Sequence, residues 1–431
     1  MNYSMYNASP SGGGGGGGVY YESRQYTPER LSPAATNYYY FDNAASTSMM
    51  PEVLNAMVPM FTNNYGNPEA SHEAGKKARD IMEGCRGQIA DALRVDSGEI
   101  YFTSGASESI NTFIRGVCHS NCHRHRRKLV ISAIEHKAVS ATCSDMEREG
   151  YEVVLVPVLA SGVINLAALA HAVTHETLLV CVIMGNNEVG VLQPMEHVAR
   201  IAHASGALLF SDTTQIAGRL PVYPRQLGID ALCISGHKIH GPKGIGALYM
   251  SSTIDCAPII TGGHQERGQR AGTSNTPGIA GLASAILRNL STQGQEQQRE
   301  VQTKRDWIEA QLQHRIPNTL IHSKTVPRLN NISSVALINH QGEGMDKNEM
   351  MHYLNKYNII VNTGSACNAG SDRSDVLQAL GLSEAAEQST IRVSLSPLTT
   401  WGECQLLVDT MENMLNNLPA RRVSNDRVSV E

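Results

Sequence analysis

Two rhythms of apolar and polar positions run along the chain from about residue 50. Ala78, Ile81, Met82, Cys85 and Ile89 recur at helical spacing with Arg79, Asp80 and Glu83 between them, which predicts an amphipathic helix. Short apolar runs at 100–103, 129–132, 153–158, 178–184, 207–210, 231–235 and 246–250 predict strands, and helices fit between most of them, for example at 165–173 and 195–204. Alternation of this kind implies a mainly parallel sheet covered on both faces by helices. Residues 278–316 read as one long helix, rich in Gln and Glu in its middle, that leaves a first domain for a second. Beyond it, to about residue 418, strands at 332–337 and 391–394 mix with helices, and Thr400 with Glu403 forms a capping box that opens the last helix.

Composition sharpens the picture at the ends. Residues 1–36 carry seven consecutive glycines from Gly12 to Gly18 among Ser, Tyr, Asn and Pro, so this stretch reads as a flexible tail that cannot offset its ordering entropy by burial. Arg24 and Arg30 are balanced by Glu22 and Glu29, unlike an Arg-rich transit peptide, so a cytoplasmic location is expected, with an organelle matrix as the alternative. The 431-residue chain is 41% hydrophobic, ample for a core, which excludes disorder of the whole. A net charge of −5 argues against broad binding of nucleic acid or anionic membrane. Nine cysteines, an odd and sparse count, read as reduced thiols rather than a disulfide framework. The best apolar run, 178–184, is too short to span a bilayer.

Ligands of open α/β sheets bind beyond the carboxyl ends of strands, so the residues after each predicted strand carry the candidate chemistry. After 100–103 comes Ser104-Gly105-Ala106-Ser107-Glu108, where small residues opening a helix leave backbone N–H groups for an anion, or form an ordinary cap. After 207–210 comes Asp212, placed to bind a metal, cap a helix or pair with a protonated ring nitrogen. After 231–235 comes Gly236-His237-Lys238, where a lysine among glycines can become a nucleophilic amine. The following His240-Gly241-Pro242-Lys243-Gly244 is a near miss to a phosphate-binding P-loop, because Pro242 breaks the Gly-Lys pair and Gly244 stands where a hydroxyl is required. Taken together, an anion-ready helix start, an Asp and a Lys at three strand ends suit pyridoxal 5′-phosphate, which needs a phosphate cradle, a carboxylate for its pyridinium nitrogen and a lysine for covalent attachment. Near the end, Cys367 sits in Asn362-Thr363-Gly364-Ser365-Ala366-Cys367-Asn368-Ala369-Gly370, a small-residue run that predicts an accessible loop in which a thiol can react. Cys181 and Cys233, inside predicted buried strands, read as inert.

At these residues the sequence resembles the cysteine desulfurases of the pyridoxal-phosphate-dependent class V aminotransferase family. The resemblance runs from about Tyr40 to Leu418 and rests on Asp42-Asn43-Ala44-Ala45-Ser46-Thr47, Gly66-Asn67-Pro68, Thr103-Ser104-Gly105-Ala106-Ser107-Glu108-Ser109, Glu135-His136-Lys137, Asn186-Asn187-Glu188-Val189-Gly190, Ser235-Gly236-His237-Lys238, Glu266-Arg267 with Arg270-Ala271-Gly272-Thr273, and Gly364-Ser365-Ala366-Cys367. It implies an α/β protein of the fold-type I pyridoxal-phosphate-dependent transferase class. A large domain, residues 50–293, would hold a mainly parallel mixed sheet flanked by helices; a smaller α+β domain, residues 37–49 and 294–431, would carry the Cys367 loop. Lys238 would hold the cofactor and later shuttle the substrate's Cα proton, with Asp212 on the pyridinium nitrogen and His136 as a catalytic residue that stacks on the ring and assists acid–base steps. Ala106, Ser107, Ser235 and His237 match phosphate-cradle positions, and Thr273 matches one reached from the other subunit of a homodimer. Asn187 and Gln215 match contacts around the ring hydroxyl. Arg392 matches the clamp on the substrate carboxylate, with Asn187 and Asn43 beside it. Cys367 would take sulfur from L-cysteine as a persulfide, release L-alanine and pass the sulfur to a protein acceptor such as an iron–sulfur scaffold. No nucleic acid and no membrane is expected as a partner.

The sequence departs from the family pattern in places. Ser107 stands where many relatives have Thr, Thr213 follows Asp212 where Ala is usual, and the glycine-rich tail has no counterpart. The sequence runs out soon after Leu418, where housekeeping relatives carry a longer extension for docking the iron–sulfur scaffold, which puts the usual scaffold partner in question. Two other readings share these motifs: a selenocysteine lyase, and a catalytically silent scaffold on the same fold. Cys118, His119, Cys122, His123 and His125 cluster before Arg126 and Arg127; without a second ligand pair at finger spacing they read as a solvated loop rather than a metal site.

Overall fold

Twelve strands appear among the described residues, which in this computed structural model are 38–123, 125–338, 343–364 and 373–417. In chain order they are β1 Tyr39–Tyr40, β2 Ile100–Thr103, β3 Lys128–Ser132, β4 Glu152–Val156, β5 Thr177–Cys181, β6 Leu208–Asp212, β7 Ala231–Ser235, β8 Gly246–Met250, β9 Thr319–Ile321, β10 Ile332–Leu337, β11 Ile359–Ile360 and β12 Thr390–Ser394. The predicted tail 1–36 and Cys367 lie outside the described residues.

Seven strands form one sheet in the order β2-β8-β7-β6-β5-β3-β4. All run parallel except β8, which is antiparallel to both its neighbours. The sheet is buried on both faces, which is why its strands read as unbroken apolar runs. Side chains alternate between two cores. Val130, Val180, Leu209, Leu232 and Ala247 face one, with Ile279, Leu282 and Ile286 of the helix Thr276–Leu290. Leu129, Leu179, Phe210, Ala231 and Leu248 face the other, with Phe113 and Ile114 of the helix Ala106–His119. Both strand cysteines, Cys181 and Cys233, are fully buried.

A second, three-stranded antiparallel sheet has the order β12-β10-β9. Its core joins Val335, Leu337, Ile391 and Val393 to Leu407 and Met411 of the helix Trp401–Asn417 and to Phe41 from the N-terminal segment. The predicted capping box opens that last helix: Thr400 N donates to Glu403 Oε2 at 2.6 Å, and Glu403 N donates to Thr400 Oγ1 at 3.2 Å. Tyr39–Tyr40 of β1 pairs in parallel with Ile359–Ile360 of β11, so the N-terminal segment is bound to chain made much later.

The single helix expected over 278–316 is two helices, Thr276–Leu290 and Thr292–Arg315. Ser291 breaks it with φ −62° and ψ 161°. Its hydroxyl accepts from Gly294 N at 3.1 Å and donates to Arg288 O at 2.7 Å, closing one helix and opening the next. Each half serves a different core: Ile279 and Leu282 face the large sheet, whereas Val301, Ile308 and Leu312 pack with the three-stranded one.

Candidate active site

Carboxyl ends of the parallel strands of the large sheet meet at one cavity of about 480 Å³. β2 leads to Ser104, Gly105, Ala106 and Ser107; β7 ends at Ser235 and leads to His237 and Lys238; β6 ends at Asp212 and leads to Gln215. Segments after β3 and β5 bring His136 and Asn187. Because β8 runs the opposite way, its amino end reaches the same rim, preceded by Lys243 and Gly244. Ala44 and Ala45 from the N-terminal segment and Arg392 from β12 complete the wall.

The helix Ala106–His119 points its N-terminus into this cavity, and no side chain caps it. Its first-turn amides are therefore available to an anion, as is the positive end of its dipole. Gly105, at φ 152°, makes the turn, and backbone packs tightly beside it: a Cβ on Gly246 would lie 2.7 Å from the Cα of Gly105. Lys238 Nζ donates to the carbonyl oxygens of Ala44 and Ala45 at 2.7 and 2.9 Å. Asp212 is buried, and its Oδ1 accepts from Thr214 N at 2.9 Å and from the Cys233 thiol at 3.4 Å, bonds in which Oδ2 takes no part. His136 caps the helix Lys137–Arg148, its Nδ1 accepting from Ala138 N at 3.1 Å. Burial pushes this imidazole below its ordinary pKa; Asp212 pulls the other way and Lys238 adds to the drop. Burial, with Lys238 and Lys243 beside it, pushes His237 down to about 4, so this ring is a neutral hydrogen-bonding group at neutral pH. Gln215 Nε2 donates to Ala44 O at 3.0 Å, while its Oε1 is buried without a partner.

 Ten of the thirteen residues singled out in the sequence line this cavity or its wall. Those ten are Lys238, His136, Asp212, Ala106, Ser107, Ser235, His237, Asn187, Gln215 and Arg392. Cys367 lies outside the described residues, and Asn43 and Thr273 are described but do not line the cavity. Asn43 is turned into the fold: its Nδ2 donates to Tyr40 O at 3.2 Å and to Ser394 O at 2.9 Å. Thr273 is exposed.

Sequence reasoning missed the carbonyls of Ala44 and Ala45, which carry no side-chain signal, and it read Lys243 only as part of a failed P-loop. It also missed two acids, the buried Glu188 and the half-buried Glu135. Glu188 Oε2 accepts from Ser374 Oγ at 2.6 Å and lies beside Gly364. Glu135 Oε1 accepts from Ser132 Oγ at 2.5 Å and from Ile183 N at 2.6 Å, while Oε2 is buried without a partner. Of the Cys/His cluster, Cys118 is buried and Cys122 exposed, and among the described residues no group of three or more His, Cys, Asp or Glu is placed to hold a metal ion.

The profile of the class-V aminotransferases matches residues 39–407. The chain belongs to the class-V aminotransferase family. It is 36% identical over 381 residues to cysteine desulfurase 2 of Trichormus variabilis, covering 88% of this chain and 93% of that protein. It is likewise 36% identical over 380 residues to the cysteine desulfurase IscS of Methanosarcina thermophila, covering 88% and 92%. Among solved structures, a NifS-like protein superposes with a TM-score of 0.80 at 33% identity, covering 88% of this chain and all of that one. A structure described as SspA in complex with cysteine gives 0.72 at 34% identity, covering 84% of this chain and all of that one.

Members of this family use pyridoxal 5′-phosphate, and the class-V cavity here fits that group. It offers an uncapped helix N-terminus for a phosphate, a buried carboxylate with one oxygen uncommitted by the bonds above, an amine at Lys238 and a buried, unpartnered Gln215 Oε1.

Burial raises the Glu135 carboxyl to about 8; the bonds from Ser132 and Ile183 oppose this, and the nearby Asp212 adds to it. A carboxyl raised in this way stabilises the fold fully below its ordinary value of 4.5 and loses that contribution as pH rises through about 8. Glu135→Gln, neutral at every pH, is expected to lack this loss. Thermal midpoints of both chains at pH 5, 7 and 9 check it: the difference should move in the variant's favour as pH rises, and parallel profiles would contradict the assignment.

Proposed function

We propose that this protein is a pyridoxal-phosphate-dependent cysteine desulfurase that converts L-cysteine to L-alanine and supplies the sulfur to a protein acceptor. The observation that carries the reading is the convergence of Lys238, Asp212 and an uncapped helix N-terminus on one cavity.

The roles follow from the chain's own groups. First-turn amides at Ala106 and Ser107, with Ser235 and the neutral His237, would hold the cofactor's phosphate. Asp212 would pair with its ring nitrogen, and Gln215 and Asn187 would serve its ring hydroxyl. His136, whose pKa burial lowers, would lie against the ring. When bound, the cofactor supplies an electron sink that makes the substrate's Cα proton removable. Lys238 holds the cofactor and then moves that proton. Arg392 receives the substrate carboxylate. Cys367 takes the sulfur: the substrate's carbon–sulfur bond breaks, a sulfur–sulfur bond forms on Cys367, and L-alanine leaves.

The working unit is a homodimer in which the exposed Thr273 serves the partner's cavity; its position away from the cavity of its own chain supports this. The chain divides into a large domain, residues 50–293, and a small one, residues 37–49 and 294–431; the separate cores of the two sheets support that division. No helix among the described residues is long and apolar enough to cross a membrane, and a cytoplasmic site of action is proposed.

Mass spectrometry after incubation with L-cysteine tests the function. The peptide containing Cys367 is expected to gain the mass of one sulfur, removable by a thiol reductant. Sulfide release with no such adduct at any cysteine would overturn the reading.

A further inference from the structure

Arg392 is buried, with 2% of its side chain exposed, yet it already has a carboxylate partner before any substrate arrives. Its Nη2 donates to Asp42 Oδ1 at 2.7 Å and its Nη1 donates to Asn187 O at 2.8 Å. Its Nε is buried with no partner. Asp42 is itself fixed: its Oδ2 accepts from Asn362 Nδ2 at 2.9 Å, and its backbone bridges to Ser394. Asn362 in turn pairs through its backbone with Arg392, at 3.1 and 2.6 Å. Asp42 does not line the cavity, whereas Arg392 does.

A guanidinium has five N–H donors in a planar fork. With the two Nη bonds in place it cannot turn, and the orphaned Nε–H is among the donors left for a ligand carboxylate. A ligand carboxylate that binds there becomes the second anion on one cation, and two carboxylates sharing a site repel each other. Asn187 O and the buried setting hold the guanidinium whether or not Asp42 is charged.

We propose that Asp42 is a positioning residue that sets the affinity of the site for amino-acid carboxylates, acting through Arg392 as a resident counter-anion that weakens the grip on substrate and product. The inference rests on the assignment of Arg392 as the carboxylate clamp. Its functional sense is release: with Asp42 in place L-alanine meets a guanidinium whose charge is already balanced, and it leaves more readily.

The test is ligand binding to the holoenzyme, followed by the change in its visible absorption. L-alanine is compared with ethylamine, which is the same molecule without the carboxylate. In Asp42→Asn and Asp42→Ser, L-alanine is expected to bind roughly tenfold more tightly, the scale of a nearby charge removed from a partly buried site, while ethylamine is unchanged. A merely structural role for Asp42 would weaken both ligands alike. Unchanged or weaker L-alanine binding in the two variants overturns the proposal. Arg392→Gln separates the two levels of the argument: it should lose L-alanine binding and keep that of ethylamine. If Arg392→Gln keeps L-alanine as well, the clamp assignment itself fails; if it loses L-alanine while the Asp42 variants do not tighten, only the role of Asp42 fails.

Discussion

Replacing Lys238 with alanine is expected to cut L-cysteine turnover by roughly 10²–10⁴-fold, the range of a lost general acid–base group. The amine stands at the end of β7, held by two backbone carbonyls that accept from it and fix where it points. Neither histidine of the cavity can replace it as a proton carrier in the same place, because His136 is committed at Nδ1 to its helix and His237 is pushed down to about 4. Lys243 lines the rim, but on the segment that enters β8. Single-turnover assays with L-cysteine measure the loss, and partial rescue by added alkylamine would identify it as a missing amine rather than a collapsed site. Borohydride reduction should leave the cofactor's mass on the Lys238 peptide of the unaltered chain. Turnover within tenfold of the unaltered enzyme would contradict the assignment.

Replacing Arg86 with alanine is expected to destabilise the fold by about 3–5 kcal/mol, as breaking a buried ion pair does. Arg86 projects from the helix Glu73–Leu93, and its side chain is 2% exposed against 3% for Glu266. The pair is bidentate, at 2.6 and 3.0 Å, and Glu266 Oε2 also accepts from Phe102 N at 2.9 Å. Without the arginine, a buried carboxylate loses its cation. The backbone adds to the cost, since Glu266 and the following Arg267 both have positive φ, 47° and 57°, a conformation that contacts around it must hold. Denaturant titration measures the effect. Arg86→Met with Glu266→Leu should cost less than either single change, because no unpaired charge remains. A loss below about 1 kcal/mol for Arg86→Ala would show that the pair is not the clasp of this turn.

Much of the large sheet was legible because both its faces are buried. The runs at 231–235 and 246–250 are β7 and β8 residue for residue. Strand direction was not legible: apolar runs read the same either way, and the reversal of β8 had no signature in its own residues. The break at Ser291 was hidden because Ser and Thr interrupt a helical pattern only when the backbone around them turns. In the site, Lys238 and Asp212 were legible as special residues at strand ends. Backbone carbonyls such as Ala44 O were not, nor was the contact between Asp42 and Arg392, which are 350 positions apart. Asn43 shows the opposite limit: an amide in the right motif is spent on backbone carbonyls inside the fold.

The attachment of the N-terminal segment to late-made chain has a consequence for biosynthesis. Asp42 is bonded to Asn362, 320 positions further on. At roughly 5–20 residues per second a ribosome needs on the order of fifteen seconds to a minute to make that stretch. Throughout this interval the nascent Tyr39–Tyr40 segment waits without its partner strand, so the pocket cannot close around a ligand until Ile359–Ile360 and Asn362 have been made.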